Sequence, residues 1–294
     1  MKIVLQIILP ILLVIYLICI TVFLIHIIAE KTNTVQPAQE VEVVEIDPNI
    51  AIRNELTKKI NNFLSDKYGN WSVYVKNLDT GMDMEINNQR VTAASLIKLF
   101  NMVTLYDEVN SGNVVLTDKL ADQLRQMITI SSNSASNTVV EAIGNGSFET
   151  GSVKVTKRME EFGCTDTAEQ HKLYDVANSS AVGRNTTSVK DCGIILEKIY
   201  YGNCIEKQLD VQMLELLKAQ ERNWKLPLGL PEGTEIAHKT GENSRIEADV
   251  GIVFSPACDY IICVSVTEYG SVKPHSEIGE LSKCVYDFFN TPEI

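Results

Sequence analysis

Basic residues are in short supply. The 294-residue chain carries 26 Lys and Arg against 38 Asp and Glu, a formal net charge of -12. Lys2 and Glu30 cancel at the N-terminal end, so the excess acid lies beyond them. Neutralising phosphates needs a basic face, and this balance speaks against a nucleic-acid partner. No Cys-x-x-Cys pair occurs and the histidines (His26, His171, His238, His275) are scattered, which argues against a metal centre. No metal and no cofactor is therefore expected. Internal repeats and long low-complexity tracts are also missing. What is present, 45% hydrophobic and 22% charged residues, is the balance of an ordinary globular protein of one large domain or two small ones.

One apolar run stands out, Ile3 to Ala29, interrupted only by Gln6, Pro10, Thr21 and His26. As a helix it would reach roughly 40 Å, more than the ~30 Å hydrocarbon core of a bilayer. A cleaved signal peptide would need an apolar region of only about 7–15 residues and a small-residue cleavage site. Residues 1–29 are therefore read as an uncleaved, single-pass transmembrane anchor. Lys2 and the α-amino group mark the short end as cytoplasmic, although Lys31 stands at the other end. The body is expected outside, at the cell membrane. Cys19 follows bulky Ile18, where a lipoprotein signal has a small residue, and is read as an apolar residue of the anchor. Six further cysteines (Cys164, Cys192, Cys204, Cys258, Cys263, Cys284) permit disulfides, but a domain of this size does not need them, and free buried thiols fit equally well.

Residues 30–49 are polar and acidic without sustained periodicity and read as a spacer. A helix is expected from Ile50 to Leu64, where Ile52, Leu56, Ile60 and Leu64 recur every fourth residue. Trp71–Asn77 and Met82–Asn87 read as antiparallel strands around Leu78-Asp79-Thr80-Gly81, a short connection whose glycine can take a positive φ. Ser95–Asn110 is apolar around most of its circumference, the mark of a buried central helix. Helical patterns continue through Lys119–Ile128, Asn137–Ile143, Val153–Phe162 and Val189–Tyr200. The period then changes: EIAHKT from Glu235, ADVGIVF and YIICVSVT read as three strands, with a turn at Gly241-Glu242-Asn243, and Ser276–Phe289 as a closing amphipathic helix. The fold class is α/β (α+β): one antiparallel sheet built from both chain ends, flanking helices, and an all-helical subdomain inserted between the second and third strands. The body spans residues 50–290, with 50–90 and 232–290 forming the α/β part and 91–231 the helical part.

Three short motifs carry chemistry. Ser95-Leu96-Ile97-Lys98 is the only Ser-x-x-Lys in the chain, and residues three apart share a helix face, so hydroxyl and amine can meet. Lys98 interrupts an apolar helix; a lysine buried there must find a partner or lose its charge, and a depressed pKa suits a general base. Ser131-Ser132-Asn133 opens a helical pattern. Lys239-Thr240-Gly241 lies in the first strand of the second block. Singly, each has a bland reading as a cap, a solvated lysine or a strand residue. Together and in this order, on fitting elements, they point to a catalytic site.

The set is similar to that of the class A β-lactamase and penicillin-binding serine hydrolase superfamily, whose signatures are Ser-x-x-Lys, Ser-Asp-Asn and Lys-Thr/Ser-Gly. The resemblance covers about Ile50 to Phe289. It implies Ser95 as acyl-accepting nucleophile, Lys98 as proton acceptor and Ser131 as proton shuttle to the leaving nitrogen. It implies further that Asn133 orients the substrate amide and that Lys239 and Thr240 hold its carboxylate, Gly241 completing the motif. The backbone N–H groups of Ser95 and Glu242 would form the oxyanion hole. Arg245 offers a further carboxylate partner, the alternative being an exposed turn arginine. His238 is expected to be a strand residue rather than a catalyst.

The sequence departs from the family at three places. Ser132 replaces the middle Asp, only 35 residues lie between Ser95 and Ser131, and the Glu-x-x-Leu-Asn of the class A water-activating loop is absent. In the corresponding stretch, Glu169 to Asp175, Asp175 falls nearest the expected place of the water base and Glu169 second. The implied activity is β-lactam opening through a Ser95 acyl-enzyme. The alternatives are a D-alanyl-D-alanine carboxypeptidase or transpeptidase acting on peptidoglycan stem peptides, and a membrane-tethered β-lactam sensor that acylates without turnover.

Overall fold

The computed structural model describes residues 2–32, 49–174 and 184–291. The chain divides into two units, residues 1–47 and 48–294. In the first, α1 (Lys2–Thr32) is a single helix of 31 residues. Its stretch Leu13–Lys31 is long and apolar enough to cross a membrane, with a mean hydropathy of 2.5, a property that signal sequences share.

The second unit begins with α2 (Asn49–Leu64), followed by the hairpin β1 (Asn70–Asn77) and β2 (Asp83–Ile86). The Asn77 side chain accepts from the backbone N–H groups of Asp79 and Thr80, and Gly81 takes φ 74°, so the connection is built by an Asx turn and the expected glycine. Strands β5 (Glu235–Glu242), β6 (Ile246–Phe254) and β7 (Tyr260–Thr267) complete a five-stranded sheet of order β2-β1-β7-β6-β5, antiparallel throughout. The N-terminal hairpin thus joins the C-terminal strands through β1 and β7, with Trp71 opposite Val266 and Val75 opposite Ile262.

Both sheet faces are covered, which is why these strands are apolar on both sides. Val73 and Val75 of β1 and Ile262, Val264 and Val266 of β7 pack with Leu56 and Ile60 of α2 and with Ile278, Leu281 and Val285 of α9 (His275–Asn290). The opposite face, with Tyr74, Val250, Ile261 and Cys263, joins the larger core shared with α3 (Ile97–Asn110) and α7 (Val189–Tyr201). Every residue of α3 from Ile97 to Tyr106 is buried, as its unbroken apolar circumference predicts. The remaining helices are α4 (Asp118–Thr129), α5 (Asn133–Ile143), α6 (Phe148–Glu161) and α8 (Lys207–Lys218).

Several expectations shift. Ser95 belongs to a short 3-10 turn, Ala94–Leu96, that precedes α3. The turn placed at Gly241-Glu242-Asn243 lies slightly later, because Gly241 and Glu242 still pair with Ala248 and Glu247 in the sheet. The inserted section is not wholly helical: β3 (Val91–Thr92) and β4 (Thr186–Thr187) form a two-stranded sheet. Pairs this short leave no alternation to read. Helix α8 was not expected at all.

Candidate active site

Four elements converge on Lys98. The 3-10 turn carries Ser95, α3 carries Lys98, the loop before α5 and the first residue of that helix supply Ser131 and Asn133, and edge strand β5 carries Lys239. The turn lies so close to β5 that a Cβ on Gly241 would come within 2.7 Å of Leu96 Cγ and 3.3 Å of the Ala93 carbonyl. Gly241 is the residue that lets the serine turn and the strand touch. Two non-glycine residues here adopt left-handed backbone: Ala94, just before the serine (φ 45°), and Ser131 (φ 61°). Strain of this kind persists only where the surroundings hold it, and it gathers at functional sites.

The Lys98 ammonium group is fully buried. Its Nζ lies 2.9 Å from Ser95 Oγ, 2.6 Å from the Ser131 carbonyl, 3.2 Å from Ser131 Oγ and 2.7 Å from Asn133 Oδ1. Lys239, equally buried, donates to Ser131 Oγ at 2.9 Å and to the Thr240 carbonyl at 2.8 Å. An unbroken chain of contacts therefore runs Ser95, Lys98, Ser131, Lys239. Burial pushes the pKa of Lys239 well below the ordinary lysine value, and the nearby cations Lys98, Arg222 and Lys225 add to this against the opposing pull of Asp249. The Thr240 hydroxyl is buried without a hydrogen-bond partner, a polar atom ready for a ligand. In chemical terms this is a hydroxyl nucleophile beside an amine, next to a second hydroxyl and a cationic pocket.

The flank of β5 holds residues that sequence reasoning passed over. Arg222 donates to the carboxylate of Glu242 and, through Nε, to the Ile130 carbonyl, tying β5 to the loop that carries Ser131. The buried Lys225 contacts the Gly241 and Ala248 carbonyls and pairs with Glu247 at 2.8 Å and Glu242 at 3.3 Å. Burial pushes the Glu242 carboxyl up, but Lys225 and Arg222 outweigh it and hold the group below its usual range. Glu242, Glu247 and His275 bring three donor atoms within 4.8 Å of one another. Lys225, Lys273 and Arg222 already neutralise these carboxylates, so the cluster is an ion-pair network. No motif marks Arg222 or Lys225. Arg245, by contrast, is an exposed residue of the β5–β6 turn and lines a separate cavity with Arg90 and Arg184. His238 is pinned between Asp249 Oδ1 at 2.9 Å and Asn223 Oδ1 at 3.1 Å, as a strand residue would be.

The loop after α6 forms the other wall. Its neck closes where Ala168 bridges Thr186, and the Asn185 carboxamide accepts from the N–H groups of Gln170 and His171. Asn185 also accepts at its carbonyl from Ala93 N–H, so the neck is stitched to the segment entering the Ser95 turn. Beyond it, Asn137 of α5 grips the Leu173 backbone twice, at 2.9 and 2.8 Å, and Asn133 Nδ2 donates to the Tyr174 carbonyl at 3.3 Å. The loop residue that Asn137 holds is thus a leucine, partly buried against the larger core. Asp175 lies outside the described residues. Glu169 is buried; Asn185 Nδ2 donates to its Oε1 at 2.9 Å, while its Oε2 and Asn101 Oδ1 have no hydrogen-bond partner among the described residues. Burial pushes its pKa up to about 8, against the lowering effects of the Asn101 and Asn185 amides and the Lys98 charge. At neutral pH such a carboxyl is mostly the protonated acid, the wrong state for a base.

All seven cysteines are free thiols in the structure. Burial pushes the thiol pKa of Cys164, Cys192, Cys204 and Cys263 up, away from reactivity at neutral pH.

Comparison with known proteins bears on both fold and site. Solved structures of the same fold include PBP-A, 25% identical, with a TM-score of 0.72 over 81% of this chain and 97% of that one. A PBP-A variant with a leucine replaced by glutamate, solved as its acyl-enzyme complex with penicillin G, matches equally well. A β-lactamase from Sphaerobacter thermophilus aligns over 82% of this chain and 99% of its own at 18% identity and a TM-score of 0.70, a likeness of fold alone. Among curated protein sequences there is no significant match. The sequence model of the beta-lactamase enzyme family, however, matches residues 55–123 and 119–289, nearly all of the second unit, and the chain belongs to that family.

Proposed function

We propose that the protein is a serine acyl-transfer enzyme of the penicillin-recognising type that forms an acyl-enzyme at Ser95 and releases it slowly. The observation that carries this reading is the contact chain from Ser95 through Lys98 and Ser131 to Lys239. Lys98 in its amine form takes the Ser95 proton as Oγ attacks the carbonyl. Ser131 passes a proton to the leaving nitrogen. The Ser95 and Glu242 N–H groups receive the developing oxyanion, and Thr240 with Lys239 and Arg222 holds the substrate carboxylate. A β-lactam or the D-alanyl-D-alanine end of a peptidoglycan stem peptide meets these requirements.

The acid-favouring environment of Glu169 supports the peptidase, or a sensor that stays acylated, over efficient β-lactam hydrolysis. The hydrolytic reading rests on Asp175 as the water base. Helix α1 serves as the membrane anchor in either case, residues 30–49 as a spacer, and residues 50–290 as the extracytoplasmic catalytic body.

The test is labelling with a fluorescent penicillin, followed by mass spectrometry of the adduct over time and by D-alanine release from a D-Ala-D-Ala peptide. The wild type should label, Ser95→Ala should not, and the adduct should outlast many acylation times. Label retained by Ser95→Ala would sink the proposal. Rapid loss of the adduct that is slowed by Asp175→Asn would favour the β-lactamase.

A further inference from the structure

A cavity of about 480 Å³ opens beyond the end of β5, and its wall holds Arg90, Arg184 and Arg245 with one carboxylate, Glu268. In a chain of net charge -12 this concentration of positive charge runs against the average. Asn70 Nδ2 donates to Glu268 Oε2 at 2.8 Å, and this one carboxylate leaves the three guanidinium groups in excess. Arg90 is partly committed, to Asp166 at 3.3 Å and to the Thr165 carbonyl. Arg184 and Arg245 are exposed, and neither has an ion-pair partner among the described residues. The wall is held in place: Tyr269 donates from its hydroxyl to the Asn243 carbonyl, and Asn243 Oδ1 accepts from Arg245 N–H at 2.7 Å, fixing the turn that presents Arg245.

The cavity's place along the strand says what it would take. Resting on the proposed function, a substrate has its carboxylate at Thr240 and its scissile carbonyl at the Glu242 N–H, so it runs along β5 in chain direction. The acyl side of the substrate then continues towards Asn243 to Arg245, the turn that forms the cavity wall. Val91 and Thr92, which line the cavity as well, lead directly into the Ser95 turn. We propose that this cavity is a subsite for the acyl portion of the substrate and selects one that carries carboxylates: an acidic peptide whose anionic groups lie on the amino side of the bond that Ser95 attacks. Guanidinium groups suit this task because each can grip a carboxylate through two N–H donors.

A series of penicillins tests it, each acylated on the 6-amino group by a dicarboxylic acid of graded length and compared with its uncharged methyl amide. Acylation of Ser95 in the full-length protein is followed by mass spectrometry. With the carboxylate long enough to enter the cavity, the acid should acylate about tenfold faster than its amide, and the ratio should shrink with salt. In Arg184→Glu/Arg245→Glu the ratio should fall to about one or below. A single Arg245→Gln, less able to disturb the fold, should lower it in part. Lys58→Glu/Lys119→Glu, the same change of charge at exposed positions elsewhere, should keep it. A ratio near one at every length in the wild type, or a ratio unmoved by the double arginine variant, or one lost equally in the lysine variant, overturns the subsite while leaving the acylation reading intact. Failure of acids and amides alike to modify Ser95 overturns that reading and the subsite with it.

Discussion

The two walls of the cleft are finished to different degrees. On the β5 wall the lysines of the motifs tie its polar groups together: Lys98 to Ser95, Ser131 and Asn133, and Lys239 to Ser131. On the loop wall the clamps hold backbone, that of Leu173 through Asn137 and that of Tyr174 through Asn133. On that side burial pushes the pKa of Glu169 up to about 8, which favours the protonated acid at neutral pH. Making an acyl-enzyme and breaking it are separate demands. The first needs a nucleophile, a base and an oxyanion site, while the second needs only one more thing, a base for water. On the proposed reading the residues around Lys98 meet the first demand, while the second rests on Asp175, which lies outside the described residues.

The largest effect should come from breaking the complete wall. Lys98→Ala removes the amine 2.9 Å from Ser95 Oγ, the proposed proton acceptor, and should lower the acylation rate by about 10²–10⁴-fold. Penicillin labelling measured at several concentrations separates this from a loss of binding. A variant that still acylates at the wild-type rate would remove Lys98 from the mechanism.

Next is an attempt to finish the other wall. Asn137 holds the Leu173 backbone whatever its side chain, and Asn133 holds the next residue, so Leu173→Glu tests whether a carboxylate at this loop position can activate water. Deacylation should then quicken by roughly 10–10²-fold while acylation stays within about twofold. Adduct lifetime by mass spectrometry reads the outcome, and an unchanged lifetime would mean that Leu173 is not where the water must be activated.

The complete wall is also the one legible in sequence. Its residues are short-range motifs on strongly patterned elements: a lysine in a helix apolar all round, a lysine in a buried strand, a serine before a helix. Membership of the sheet followed from periodicity at both chain ends for the same reason. The loop wall depends on Asn137 reaching Leu173 and Asn185 reaching Glu169, contacts between residues far apart in sequence that neither period nor composition encodes. Arg222 and Lys225 escaped notice similarly, since an arginine and a lysine in a short loop read as solvated until the fold turns them onto β5. Helix α8 was hidden because Glu206 caps it without the usual Ser, Thr or Asn, and only Asp210, Met213 and Leu217 of its residues are buried.

A third measurement sharpens what the β5 wall can do when empty. Burial and the neighbouring cations Lys98, Arg222 and Lys225 hold the pKa of Lys239 low, while Asp249 opposes them. A bound carboxylate adds an opposite charge and raises it again. Between the free and the bound pKa, binding takes up a proton, so affinity for a non-reacting carboxylate ligand falls by up to about tenfold per pH unit as pH rises, and is flat below that window. Calorimetry of an N-acyl-D-alanine with Ser95→Ala, in two buffers of different ionisation enthalpy, counts the proton directly. Binding without proton uptake at any pH from 6 to 9 would show that Lys239 stays charged in the empty site.

The smallest effect concerns the loop wall and is one of stability. Glu169 has its folded-state pKa raised to about 8, above the ordinary glutamate value, because burial penalises the carboxylate more than the amides of Asn101 and Asn185 and the charge of Lys98 favour it. The folded state therefore holds a proton that the unfolded chain has already released. Stability from this residue is complete below the unfolded pKa near 4.5 and is lost as pH rises through about 8. Glu169→Gln carries its own donor and no charge, and imitates the protonated form at every pH. Denaturant unfolding should find the two proteins nearly equal at pH 5 and the glutamine variant more stable by at least about 1 kcal/mol at pH 8.5. Because the neck held by Asn185 would tighten with no new base supplied, adduct lifetime at Ser95 should stay within about twofold. A lifetime prolonged tenfold or more would instead make Glu169 the water base.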